Sequence, residues 1–246
     1  MIPIDRNVSP KAQIAEHLVG TDRNDDAEFS QFLADTRPPR IKQVNRNGVP
    51  VRQTSPFPSP KHAAWHALTL ATGLSKRANV EYAGQIYARK TENGYTYGYT
   101  GPHNKGDNEG GGELKVLPGA PEGRIPSDTF LAGHYHTHGA YSVIDADGRI
   151  VATHDPARDG FCSDRFSKSD LEVQSWLAGR ARANSDFTEH FGARALPELT
   201  FYLGTPSGDF RVHNPNEAAD AYTAARAPRT GEPIGGTDMV LQRPSD

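Results

Sequence analysis

The chain has 246 residues with a formal net charge of −3, 35% hydrophobic residues, 24 glycines, 19 prolines and one cysteine. That length suits one domain with extensions, and the modest apolar content with abundant glycine and proline points to a small core with long irregular segments. A pI of about 6.4 leaves no global basic field to recruit nucleic acid or anionic lipid; a lone cysteine excludes an internal disulfide, and no apolar run reaches the roughly 20 residues that span a bilayer.

Residues 1–55 read as a peripheral arm, partly disordered or helical. Short helices are expected at Lys11 to Leu18 and Glu28 to Leu33, and Arg37-Pro-Pro-Arg40 and Ser55-Pro-Phe-Pro-Ser-Pro60 read as linkers. Met1 is followed by no apolar signal core, so synthesis in the cytoplasm is expected. Ser59 and Pro60 then open a helix with Ala63, Ala64, Ala67, Leu68 and Ala71 on one face, ended at Gly73. His62 and His66 lie four apart on it, but no acidic residue between them suits a zinc-binding helix, and they read as surface or packing residues.

Val80 to Tyr87 reads as a strand, Thr91-Glu-Asn-Gly94 as a hairpin turn and Tyr95 to Tyr99 as the returning strand. A long loop, Gly101 to about Asp128, follows. Then comes the most informative stretch, Phe130-Leu-Ala-Gly-His-Tyr-His-Thr-His-Gly139. Successive side chains of a strand point to opposite faces, so the imidazoles of His134, His136 and His138 leave on one side. Imidazole is the commonest protein metal ligand, and burying several without partners costs roughly 1–3 kcal/mol each.

A hairpin is expected around Asp145-Ala-Asp-Gly148, then a loop to Cys162. Ser167-Lys-Ser-Asp170 opens a second helix, with Ser167 as its cap. Leu199 to Leu203 and Asp209 to His213 form a last hairpin about Pro206-Ser-Gly208. A helix from about Glu217 to Ala225 and a flexible tail over 227–246 close the chain. Hairpins mixed with helices define an α+β class, with a mixed or antiparallel sheet flanked by helices.

Glu81 on an early strand, His136-Thr-His138 at a strand end and Ser167-Lys-Ser-Asp170 at a helix start together resemble the JAMM (MPN-type) metallopeptidases. The words Glu-Tyr-x-Gly-x-Ile-Tyr, Tyr-His-Thr-His-Gly, Phe-Ser-x-x-Asp and Tyr-Leu-x-Thr-Pro-x-Gly are similar to an uncharacterised bacterial JAMM-like domain found at the C-termini of Rhs-type polymorphic toxins. The likeness covers about residues 55–215. It implies a cytidine-deaminase-like sandwich over 56–226, interrupted by an insertion at 140–165.

The resemblance also implies chemistry. His136, His138 and Asp170 match three Zn2+ ligands, with His134 as an alternate. Glu81 matches the general base and Ser167 the residue that steadies the oxyanion. The implied activity is zinc-dependent hydrolysis of a peptide or isopeptide bond in a protein substrate. Implied too is an effector or toxin delivered by a specialised secretion system, with an immunity or chaperone protein as partner. Two other readings stand beside it: a metal-free MPN-type binding module, and a protease or deamidase toxin using Cys162 as nucleophile. A metal-dependent nuclease is disfavoured by the lack of a basic stripe. Two features depart from the family pattern. Gly139 stands where the family has proline, and Asp170 follows His138 by 170 − 138 = 32 positions instead of about ten.

Overall fold

The computed structural model describes residues 56–104, 123–148, 150–153, 155–183, 187–188, 191–220, 223 and 236–245, and the backbone of two strands, β1 (Lys42–Arg46) and β2 (Val49–Gln53). These two pair antiparallel, so the arm contains a hairpin. The helices expected at 11–18 and 28–33 lie outside the described residues.

Ser59 accepts the His62 N–H at 3.3 Å and Pro60 takes the first position of helix α1 (Pro60–Ala78). Gly73 does not end the helix; Asn79 does, in the left-handed conformation at φ 48°. Asn tolerates that region better than most side chains, which makes it a good C-terminal stop. The buried face of α1 is built mostly of small side chains, Ala63, Ala64, Ala67, Ala71, Thr72 and Ser75, beside Leu68. Small side chains let the helix axis approach the sheet closely.

The main sheet has six strands: β3 (Ala83–Thr91), β4 (Gly94–Tyr99), β5 (Thr129–Thr137), β8 (Arg194–Gly204), β9 (Phe210–Asn214) and β10 (Thr237–Val240). Their spatial order is β10-β9-β8-β5-β3-β4, antiparallel throughout except for the parallel pair β5–β8. Helix α1 covers one face, burying Ile86, Ala132, Tyr135 and Tyr202. Helix α2 (Lys168–Ala183) covers the other, burying Tyr87, Leu131, Phe201 and Leu203. The mixed sheet with its two helices meets the α+β expectation.

Between β5 and α2 the chain forms a separate two-stranded sheet, β6 (Tyr141–Ile144) with β7 (Ile150–Thr153), turned at Asp145–Gly148. Two expectations near the C-terminus are corrected. Of the helix expected from about 217 to 225, residues 217–220 are bend and irregular chain, residue 223 is helical, and the others lie outside the described residues. Within 227–246, Thr237–Val240 is not a loose tail but an edge strand on β9. Its anchor is the buried Arg211–Asp238 pair, Nε to Oδ1 at 2.6 Å, with Leu241 packed beneath α1. Among the described residues no helix is long and apolar enough to cross a membrane.

Candidate metal centre

The histidine strand β5 sits mid-sheet, and one irregularity sets which way its imidazoles point. Ile86 pairs with Gly133 and Tyr87 with Leu131, so Ala132 is an extra residue, a β-bulge. By plain alternation Leu131 and the even-numbered histidines would face opposite ways. The bulge re-phases the strand: Leu131 packs under α2, and His134 and His136, paired with Gln85 and Ala83, emerge on that same face. The three rings form a row, with centroids 5.9 Å apart from His134 to His136 and 5.3 Å from His136 to His138.

The N-terminus of α2 meets this row. Ser167 and Asp170 form a reciprocal cap: Asp170 Oδ2 accepts the Ser167 N–H at 2.6 Å, and Ser167 Oγ accepts the Asp170 N–H at 3.1 Å. The same carboxylate reaches the strand. Its Oδ1 lies 3.4 Å from His136 Nε2 and its Oδ2 lies 3.5 Å from His138 Nε2. One ligand atom from each of these three buried residues falls within 4.8 Å of the others. Although it follows His138 by 170 − 138 = 32 positions, Asp170 is therefore delivered to both histidines.

The hydrogen-bond inventory asks for a cation at this point. His138 Nδ1 stands 2.8 Å from the Ser163 carbonyl. A carbonyl only accepts, so Nδ1 carries the hydrogen, and in the neutral ring Nε2 is a bare lone pair aimed at a carboxylate oxygen. His136 Nε2 is buried and makes no hydrogen bond. Separations of 3.4–3.5 Å exceed the 2.7–2.9 Å of a charge-assisted N–H···O bond. With one ligand atom taken from each residue, the three lie within 4.8 Å of one another, close enough to share an ion. His136, His138 and Asp170 can hold a metal ion.

In the absence of a metal, burial alone would raise the Asp170 carboxyl, but protonated His136 and His138 beside it outweigh that and hold it well below the usual carboxylate range. Burial, then the neighbouring His136, pushes the His134 imidazole down to about 3, so that ring stays neutral. His134 is not among the three residues whose ligand atoms converge.

Other named residues fall as follows. Tyr82 is tied to Thr137 through both of its backbone groups, so the β3–β5 register brings Glu81 to the level of His138. Its carboxylate is outside the converging trio. Ser167 Oγ serves the cap and lies 2.8 Å from Ser169 Oγ. Cys162 is exposed, with φ 54°. His66 bonds the Tyr99 hydroxyl at 2.7 Å, and His62 contacts Ser59.

Position 139 has no room for a side chain: a Cβ there would lie 2.7 Å from Asn79 Oδ1 and 3.0 Å from the Asn79 backbone carbon. Asn79 Oδ1 accepts the Ala140 N–H at 2.6 Å, and Ser75 Oγ donates to the His138 carbonyl at 3.1 Å. The end of α1 thus pins the chain leaving the histidines. Sequence reading missed Asn79 and Ser163 as supports. Asn79 carried the signal of a helix-ending Asn; the Ser163 carbonyl carried none, because a backbone contact leaves no side-chain signature.

Fold and site together define a mixed α/β sandwich with a buried two-histidine, one-aspartate cluster where strand β5 meets helix α2. No family model matches the chain, no curated protein matches it, and no solved structure matches it.

Proposed function

We propose that the protein is a zinc-dependent hydrolase of peptide or isopeptide bonds, with His136, His138 and Asp170 as ligands. The observation carrying this reading is the pair of acceptors, His138 Nε2 and Asp170 Oδ2, facing each other at 3.5 Å in a buried site. Nitrogen and oxygen donors suit zinc, and three protein ligands leave a fourth position for solvent, as catalytic sites require. Bound there, zinc would lower the pKa of water to about 7 and polarise a carbonyl.

The chain's own residues supply the rest. Glu81, at the level of His138 but outside the ligand trio, is suited to take a proton from water and return it to the leaving amine. Ser167, at the helix mouth beside Asp170, is suited to steady the oxygen of the tetrahedral intermediate. Delivery as an effector or toxin, with an immunity or chaperone partner, rests on the sequence resemblance alone.

Elemental analysis of purified protein tests the core of this. About one zinc per chain is expected in wild type and near none in His136→Ala. Equal metal in both would remove His136 from the ligand set, and a different ion in stoichiometric amount would replace zinc. Glu81→Gln is expected to keep the metal and lose turnover on a peptide library; metal-free but partner-binding protein would favour a binding module instead.

A further inference from the structure

The insertion at 140–165 lies between the second histidine and the aspartate, and its base is tied together more tightly than a hairpin requires. Asp159 is the knot. Its Oδ1 accepts the Ser142 N–H at 3.2 Å, the Phe161 N–H at 3.4 Å and the Ser163 hydroxyl at 3.0 Å, and its Oδ2 accepts the Ser163 N–H at 2.6 Å. The Gly160 N–H returns to the Ser142 carbonyl at 2.9 Å. One carboxylate therefore joins the first strand of the insertion to its exit. Asp164 completes the base: it accepts the Tyr141 hydroxyl at 2.8 Å and the Ser207 N–H at 3.1 Å, fixing the exit to the β8–β9 turn.

The held residue, Ser163, is the one whose carbonyl receives His138 Nδ1–H at 2.8 Å in a buried contact. Cys162, just before it, adopts a left-handed backbone at φ 54°, and the Arg165 N–H closes a turn onto the Cys162 carbonyl at 3.0 Å. A non-glycine residue kept in that region needs its surroundings to hold it there. Partners that fix the far nitrogen of a metal-bound imidazole set its tautomer and orientation.

Building on the metal reading of this site, we propose that the base of the insertion is part of the metal centre: Asp159 is a positioning residue that holds Ser163 so that its carbonyl keeps His138 Nε2 aimed at the ion. The hairpin tip, Asp145–Gly148, takes no part. The insertion is then a support for the metal, not a lid over it.

The test is zinc affinity by chelator competition, with the visible spectrum of the cobalt-substituted protein and circular dichroism on each variant. Asp159→Ala is expected to bind zinc about 10–100-fold more weakly with a shifted cobalt spectrum. Asp159→Asn, which keeps an acceptor, should lose less, and the tip variant Asp147→Ala should match wild type. Nitrogen-15 spectra of the zinc-loaded wild type should show His138 bound through Nε2 with a hydrogen on Nδ1. If wild type takes up no metal, the metal reading itself fails. If wild type binds zinc and folded Asp159→Ala and Asp159→Asn bind it equally well, or if His138 binds through Nδ1, the positioning role is overturned alone.

Discussion

Asp170 Oδ2 does two things at once: it accepts the Ser167 N–H at 2.6 Å and faces His138 Nε2 at 3.5 Å. A helix cap and a ligand position thus share one oxygen. Asp170→Asn and Asp170→Ala separate the two. Asparagine keeps an acceptor for Ser167 but loses the charge, so zinc binding should fall by at least about 100-fold while the metal-free protein melts near wild type. Alanine should lose the metal and also about 1 kcal/mol of stability from the cap. Thermal melts in chelator, paired with metal analysis, check both.

Ser167→Ala should cost about 0.5–2 kcal/mol in urea unfolding of the metal-free protein, because the Asp170 N–H loses its acceptor. Ser167→Thr should restore most of it. A fall in turnover far beyond this loss, with metal content intact, supports the oxyanion role.

Gly133→Ala should destabilise at the upper end of about 1–3 kcal/mol. A Cβ there would stand 2.1 Å from the Thr200 carbonyl oxygen, which is backbone and cannot swing away. The damage falls between β5 and β8, so metal affinity should drop with stability. A wild-type urea midpoint in this variant would refute the close approach.

Arg211→Met strands the Asp238 carboxylate in a buried position, since Arg211 supplies its 2.6 Å partner. A loss of about 3–5 kcal/mol is expected, as for other broken buried pairs. Hydrogen exchange should report the loosening first at Thr237–Val240, the edge strand this pair anchors.

Burial holds the His66 imidazole below its usual 6.5. The unfolded chain then binds the proton more readily, so this residue's contribution is complete above about pH 6.5 and is lost as pH falls below it. His66→Gln keeps an acceptor for the Tyr99 hydroxyl. Between pH 8 and pH 5, wild type should lose more stability than the variant; parallel curves would contradict this.

Local chemistry was legible where one residue dictates one geometry. Ser59-Pro60 marked a helix start, Asp147-Gly148 a turn, and Ser167 with Asp170 a cap, and each stands where the spacing put it. His134, His136 and His138 do share a face. Gly73 misled because α1 is carried past it by packing against the sheet. The strand at Thr237–Val240 was hidden because its pairing partner and the Arg211–Asp238 bond come from distant chain. Which way the histidine face turned was not legible either, since Ala132 as a bulge differs from Ala132 in a regular strand only through its neighbours.

That single surplus residue sets the reading frame of the strand. Deleting Ala132 would leave every imidazole, the aspartate and the apolar composition in place, and a sequence comparison would score the product as nearly the same protein. By plain alternation Leu131 and His134 would then stand two positions apart and keep their common face, with the bulge gone and Tyr87–Leu131 and Ile86–Gly133 as consecutive pairs. One residue added between 129 and 134 would instead turn half of β5 over, sending either the histidines toward α1 or Leu131 out of its layer, so insertions there should be far less tolerated than substitutions or the loss of Ala132.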